Sequence, residues 1–570
     1  MSQQPLETGV RHRGRARHGY LFVFAVVSAV GILAASCGGD QAAENSPVVP
    51  SNQNTTSTED PNLKPQTGGK LTFALSAETD GWTPASSQWS SSSLEVTLAI
   101  FDKLTAFDDA GNVQGYLAES VKPNADFTVW TIKLRPGIKF QNDEPVDATA
   151  VKMNLDAFKK SPLTSGAMTF VKAGDEGVTI VDPLTLTVSM TQPWSTYPVV
   201  LTGQTGTIAA PAQLADEKGA LHPIGSGPFI FEQWTPGKNL TVKKNPSYWR
   251  SGFPLLDEIE FQPISDNQAR GAAMRAGDIQ GMESFSPELL AGFRDGSDAS
   301  NFRFLRDPRS EVEEALVMLN MSTEPFNDPL ARKALIQATD SQAVTDLLDN
   351  PGELEPAVGA FGKNSPWHVE TDYPKFDVEA AKKTIAEYTA KTGKPLSFQL
   401  EGVPVPEIQK VEQALQQQWK AAGIEVTNTN NIEQPALIQK VILGTYQASL
   451  WRQFGTPGPD GEYVWWYGGN AHDPGQGLSL NMARNKDDEI DKALNAFRAT
   501  DDLTKQKEDI AIVQKRQALD MPYDWLYHTD SLVITTNNVH DMTRFTMPNG
   551  EKGLGQVGVL HQWYQVWLSK

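Results

Sequence analysis

Trp130–Phe158 reads WTIKLRPGIKFQNDEPVDATAVKMNLDAF. Thr128–Leu134 (TVWTIKL) alternates apolar and polar residues, the pattern of a strand with one buried face. Arg135-Pro136-Gly137 breaks that pattern and reads as a turn. Asp147 then opens a helix to Lys159, with a carboxylate placed to cap its first turn.

Strand and helix signals alternate on both sides of this stretch. Upstream, Lys70 is followed by the strand pattern LTFAL, and Ser92–Phe101 reads as a helix. Downstream, Val178–Met190 is a hairpin in which VTI and LTLTVSM flank Val-Asp-Pro. Asn239–Lys243 and Ile259–Phe261 read as strands. Pro329–Ala338, Val378–Thr389, Pro406–Ala421 and Asp487–Ala499 read as helices. No internal repeat is visible. Mixed elements in a chain of 570 residues point to an α/β fold with more than one lobe, because a single core stops growing well below that size.

The N-terminus is organised differently. Arg11, Arg13, Arg15 and Arg17 precede an apolar run from Tyr20 to Leu33, then Ala34, Ala35, Ser36 and Cys37, the only cysteine. This is the layout of a secretory signal peptide over 1–36. A cysteine directly after the cleavage point is where a bacterial lipoprotein carries its diacylglyceryl group. Ala34 stands where a lipobox usually has leucine, so an ordinary signal peptide with an incidental cysteine is the other reading. The run is short for a membrane span of about 20 residues, and no second such run follows. Residues 37–69 are rich in Ser, Thr, Asn and Pro and read as a disordered tether. As a random coil, Gly38–Gly69 spans about 30 Å r.m.s..

Charge limits the partners. Four Arg and one Glu precede Cys37, a net +3; removing them from the whole-chain −20 leaves −23. Such a surface repels phosphate backbones and anionic headgroups, which excludes nucleic acid and leaves membrane contact to the lipid alone. With its one cysteine lipidated, the fold has no disulfide and depends on its core.

Motifs along the chain resemble the extracellular solute-binding proteins of ABC importers, in the family 5 class that binds peptides and nickel chelates. The resemblance rests on IFDKL (Ile100–Leu104), GYLAES (Gly115–Ser120) and WTIKLRPGIKF with EPVD (Glu144–Asp147). It continues through PIGSGPF (Pro223–Phe229), KNPSYW (Lys244–Trp249), LNMSTEPFNDPLARKALIQA (Leu319–Ala338) and QALQQQWKAAGIEV (Gln413–Val426). Most of these segments have a structural reading. Gly225 and Gly227 mark a tight backbone passage before a strand at Phe229–Trp234. Pro325 and Asp328 start a helix with Arg332 and Lys333 on its polar face.

The resemblance implies a two-lobed clamp of the periplasmic-binding type (type II, large peptide-binding class) that closes by hinge motion. Lobe I with an inserted subdomain is expected over 70–318, lobe II over 319–525, and a return to lobe I over 526–570. It implies a small-molecule or peptide ligand, an ABC permease with its ATPase as partners, a monomer, no cofactor and no enzymatic chemistry. Localisation would be extracytoplasmic, on a lipid anchor at Cys37. A nickel chelate, an oligosaccharide or a modified amino acid is the alternative cargo, and ligand sensing without transport the alternative role.

Aromatic loops are the candidate ligand contacts, because Trp and Tyr give large contact area at low entropy cost. Trp82 and Trp89 follow the first strand, and Trp451 and Arg452 follow TYQASLW. Tyr463, Trp465, Trp466 and Tyr467 follow the Gly/Pro-rich loop Gly455–Gly461. Each could equally be lobe core. Peptide binders of the family carry, in the loop after the Trp451 position, an Asp that pairs with the peptide ammonium. Phe454 or Gly455 stands there in this chain, and Asp460 comes later. Arg452 would suit a carboxylate, held bidentately. Gly553–Gly558 fits G-x-G-x-x-G, but so close to the C-terminus that no helix, strand and acidic partner can follow. No H-E-x-x-H, cysteine cluster or G-x-S-x-G is present, so no built-in metal site or hydrolase nucleophile is expected.

Overall fold

The computed structural model describes residues 63–305, 313–348, 354–453, 458–529 and 531–570. The expected signal peptide and Cys37 lie outside them. Of the expected tether, residues 63–69 are described, and its end is already docked. The Gly68 amide donates to Leu255 O at 2.8 Å and the Gly69 amide to Asp257 Oδ2 at 3.2 Å. Gly68 and Gly69 have φ of +100° and +96°, a conformation that only glycine adopts without strain.

Two large sheets carry the fold. The first has seven strands in the spatial order Phe302–Leu305, Leu532–Thr536, Gly281–Ser284, Lys70–Leu75, Glu258–Pro263, Asn239–Lys244, Phe229–Thr235. Lys70–Leu75 is parallel to both of its neighbours. The second has six, in the order Glu355–Pro356, Tyr523–Thr529, Glu313–Leu319, Ala448–Gln453, Ser397–Gly402, Glu425–Asn431. A separate antiparallel sheet of four strands, Ala118–Pro123, Val129–Leu134, Thr185–Ser189 and Val178–Asp182, is inserted between the first and second sequential strands of the seven-stranded sheet. This is the two-lobed α/β architecture expected, and the four-stranded sheet forms an inserted subdomain.

The crossings between lobes lie elsewhere than expected. Met318–Leu319 and Trp525–Leu526 fall inside strands of the second sheet. The chain changes sheet between Leu305 and Glu313, and again between Thr529 and Leu532. The two crossings are neighbours: Leu305 pairs with Val533 on one side, and Glu313 with Thr529 on the other. A pair of adjacent connections suits a hinge.

Local signals shaped the elements as the sequence suggested. The helix Ala148–Lys160 is capped by Asp147, whose carboxylate accepts from the Ala150 amide at 2.9 Å. Val178–Asp182 and Thr185–Ser189 form the hairpin. Arg332 departs from expectation. It is buried, donating to Asp520 O and Phe326 O, both at 2.7 Å.

Three of the family-like motifs, IFDKL, PIGSGPF and KNPSYW, meet at one buried carboxylate. Asp102, from IFDKL, accepts from Ser226 Oγ (3.0 Å), Tyr248 Oη (3.1 Å) and Trp249 Nε1 (2.9 Å). Tyr116, from GYLAES, shares a hydrogen bond with Tyr248 at 3.0 Å, and Arg135 Nε donates to Tyr116 O at 2.8 Å. A Cβ on Gly225 would sit 2.0 Å from Ile100 O, so that passage needs glycine for its closeness. These segments tie the inserted subdomain to the first lobe.

Candidate ligand site between the lobes

The strand Ala448–Gln453 (ASLWRQ) lies antiparallel to Glu313–Leu319. Alternation sends Leu450 into the core on one face of the second sheet and Trp451 toward the other face, which the inserted subdomain also covers. Arg452 remains exposed. Its Nε pairs with Glu313 at 3.0 Å, and its guanidinium lies 4.3 Å from the ring centre of Phe285, which follows the first-sheet strand Gly281–Ser284. Arg452 therefore bridges the lobes.

Beside it, Glu407 at the start of the helix Pro406–Ala422 accepts from Asn267 Nδ2 at 3.0 Å and from the Ser286 hydroxyl. Both donors belong to the first lobe. Burial pushes the Glu407 carboxyl above its usual range, with these donors opposing. Lys410 adds an ion pair to Glu288 at 3.1 Å.

A second meeting place joins the inserted subdomain to the second lobe. Arg498, in the last turn of the helix Asp488–Arg498, pairs through Nε with Asp460 at 2.6 Å. Its guanidinium lies 3.5 Å from the ring centre of Tyr463, 4.2 Å from Trp194 and 5.3 Å from Phe170. Trp194 and Phe170 come from the inserted subdomain. The Ser195 amide donates to Arg498 O, and Ser195 Oγ to Thr500 O, both at 2.6 Å. Tyr463 also stacks on Tyr467 at 4.8 Å.

The structure thus sorts the eight candidates. Trp451, Tyr463, Trp465, Trp466 and Tyr467 lie on the face of the second lobe that the insert covers, whereas Arg452 points from the opposite face of its strand, with Leu450, and meets the first lobe at Phe285. Of these, Tyr463, Trp465 and Trp466 are buried, while Trp451 and Tyr467 are half-buried. Trp466 packs edge-on against Phe361. Trp82 and Trp89 are not on an open loop tip. They are 3 % and 0 % exposed in the first-lobe region, Trp82 against Trp234 and Trp89 against Phe101. Trp89 Nε1 is spent on Gly81 O at 3.0 Å.

The ammonium anchor also changes meaning. Phe454 and Gly455 lie outside the described residues. Asp460 is present but committed to Arg498, with both side chains buried. Sequence reasoning did not single out Phe285, Glu407, Trp194 or Arg498. Arg498 carries no signal of its own, since a basic residue in a last helical turn is ordinary. Among the described residues no group of three or more His, Cys, Asp or Glu is placed to hold a metal ion, and no helix is long and apolar enough to cross a membrane.

Residues 112–475, more than half of the chain, match the profile described as bacterial extracellular solute-binding proteins, family 5 Middle. The chain is 28 % identical over 281 residues to the glutathione-binding protein GsiB of Salmonella paratyphi A (strain ATCC 9150 / SARB42), which covers 48 % of this chain and 54 % of that protein. It thus spans about half the length of the curated relatives it matches. The periplasmic binding protein DppA from Helicobacter pylori, solved with peptide STSA, superposes with a TM-score of 0.76 at 20 % identity, covering 89 % of this chain and 99 % of that one. AgaA from A. tumefacien R10, solved with agropinic acid, superposes with a TM-score of 0.73 at 23 % identity, covering 88 % and 99 %. The chain belongs to the bacterial extracellular solute-binding proteins of family 5.

Proposed function

We propose that this protein captures a small solute, most directly a peptide, between its two lobes and presents it to the permease of an ABC importer. The observation that carries this reading is that the second lobe meets the first lobe and its insert at two places, Arg452 with Phe285 and Arg498 with Trp194. A ligand contacting both lobes shifts the open–closed population, and one contacting a single lobe does not. Trp451, Arg452 and Tyr467 are the proposed contacts, because they keep exposed surface where the second lobe nears the first lobe and its insert. Tyr463, Trp465 and Trp466 form the packed wall behind them, and Trp82 and Trp89 support the first lobe.

Arg452 is the proposed anchor for a ligand carboxylate, which would share the guanidinium with Glu313. Asp460 is unsuited to hold an ammonium while Arg498 occupies it. A carboxylate-bearing ligand fits this polarity, and the relatives' ligands, glutathione and a peptide among them, carry carboxylates. The chain performs no chemistry on its cargo in this reading. Export by the signal peptide and anchoring through an acylated Cys37 would place it on the outer face of the cell membrane, as a monomer.

Thermal unfolding with di- to octapeptides, glutathione, oligosaccharides and nickel chelates tests the reading. A ligand at 100 times its dissociation constant adds about 2.7 kcal/mol. A shift with peptides or glutathione is expected. A shift confined to sugars or chelates would overturn the peptide assignment, and no shift with any member would overturn the capture reading for these classes.

A further inference from the structure

The second lobe sets one carboxylate into the first. Glu407 is the second residue of the helix Pro406–Ala422, and it reaches across the lobe boundary to the starts of two first-lobe helices. Asn267 is the first residue of the helix Asn267–Ala276, and Ser286 is the N-cap of the helix Pro287–Arg294. Both donate to Glu407, Asn267 through Nδ2 at 3.0 Å and Ser286 through its hydroxyl.

The first-lobe half of this contact is held by its own lobe. Arg270 is buried, and its guanidinium donates to the backbone oxygens of Ile264 at 2.5 Å and Glu283 at 3.2 Å. Its Nη2 donates to Asn267 Oδ1 at 2.6 Å. Arginine carries donors only, so this bond fixes the amide with Nδ2 toward Glu407. Ser286 Oγ accepts from the Leu289 amide at 3.3 Å, which leaves its hydrogen for Glu407. Two donors in a fixed geometry therefore face one carboxylate of the other lobe.

The neighbouring ion pair is a weaker tie. Lys410 and Glu288 meet at 3.1 Å, but their side chains are 52 % and 51 % exposed, and such pairs contribute little. Glu407 is half-buried, and hydrogen bonds to a charged group are among the stronger ones. Glu407, Asn267 and Ser286 are not proposed ligand contacts, so their bonds can act on the lobes whether or not cargo is bound.

We propose that Glu407 is a lock between the lobes: seated on Asn267 and Ser286, it holds a fraction of the cargo-free molecules in the lobe arrangement described here. Apparent affinity scales with the fraction of molecules already in the binding-competent arrangement, so the lock tunes affinity without touching the cargo. It needs only the two lobes, and it stands or falls separately from the identity of the cargo.

Pulsed electron spin resonance on the cargo-free protein tests the lock, with labels at Lys238→Cys and Lys420→Cys and with Cys37→Ser. The wild type should show a short-distance component beside a longer one. Glu407→Ala should lower the ratio of short to long by about ten-fold or more, the range of a hydrogen bond to a charged group. Asn267→Asp keeps an oxygen for Arg270 and sets a second carboxylate against Glu407, so the short component should fall there too. Asn267→Asp combined with Glu407→Gln restores one donor and one acceptor across the boundary, and the short component should return. If Glu407→Ala does not fold, Asn267→Asp and the combined variant decide. A wild type without the short component, or a short component equal in the wild type, Glu407→Ala and Asn267→Asp, would overturn the proposal. No cargo is present in this measurement, so its failure is distinct from a failure of the peptide reading.

Discussion

The guanidinium of Arg498 lies 3.5 Å from the centre of the Tyr463 ring, with Asp460 bound to its Nε at 2.6 Å. Tyr463 and Asp460 belong to the loop that follows Trp451, and Trp194 closes the cage from the inserted subdomain at 4.2 Å. One side chain thus fixes the wall of the proposed site and joins it to the facing lobe.

Arg498→Met should be strongly destabilising, by about 3–5 kcal/mol, because it leaves Asp460 charged and buried without a partner. Arg498→Met with Asp460→Asn should recover a large part of that loss, since the pair is then removed together. Urea unfolding of the two variants checks this. Equal losses in the single and double variants would contradict it.

Arg452→Ala should weaken binding of a peptide with a free carboxylate by about 10- to 100-fold, the range of a hydrogen bond to a charged group. The same peptide with an amidated C-terminus should bind the wild type and the variant alike. Calorimetric titration of both peptides separates a carboxylate anchor from a general packing role.

Asp524 is buried with, among the described residues, a single hydrogen bond from Thr339 Oγ1, and burial pushes its carboxyl up to about 7. Its folded value lies above the unfolded one, near 4, so folding takes up a proton between them. The stability that this supplies is present at low pH and is lost as pH rises through about 7, by up to about 4 kcal/mol at the limit. Asp524→Asn should flatten the fall in stability between pH 5 and pH 8. Urea unfolding at the two pH values checks it, and an unchanged slope would contradict it.

Trp89→Ala should cost about 3–5 kcal/mol of stability, as expected for a fully buried tryptophan, while leaving ligand affinity in the surviving folded fraction unchanged. Tyr467→Ala should do the reverse. A loss of affinity in the first variant without a loss of stability would move the site back to the loop after the first strand.

Much of this fold was legible because its signals are local. Alternation in TVWTIKL, the Asp147 cap and the turn in Val178–Met190 each act over a few residues, and tertiary packing had no reason to override them. The hinge was less legible. Glu313–Leu319 and Tyr523–Thr529 are buried on both faces, and such runs do not show which sheet they join. Lobe crossings were therefore expected inside strands that belong wholly to the second sheet. The site was legible only in part. Aromatics in a loop announce contact area without saying what they contact, so Trp82 and Tyr463 looked alike. Their partners, Trp234 for one and Arg498 with Trp194 for the other, are far away in sequence and carry no local mark.

Inter-lobe distance measured by pulsed electron spin resonance tests the central claim most directly. Spin labels at Lys238→Cys in the first lobe and Lys420→Cys in the second occupy exposed positions, and replacing Cys37 by serine leaves no other cysteine. A bound peptide should collapse the distances to one short, narrow distribution, with Arg452→Ala requiring more peptide to reach it. A peptide that binds tightly while the distribution stays unchanged would contradict capture between the lobes.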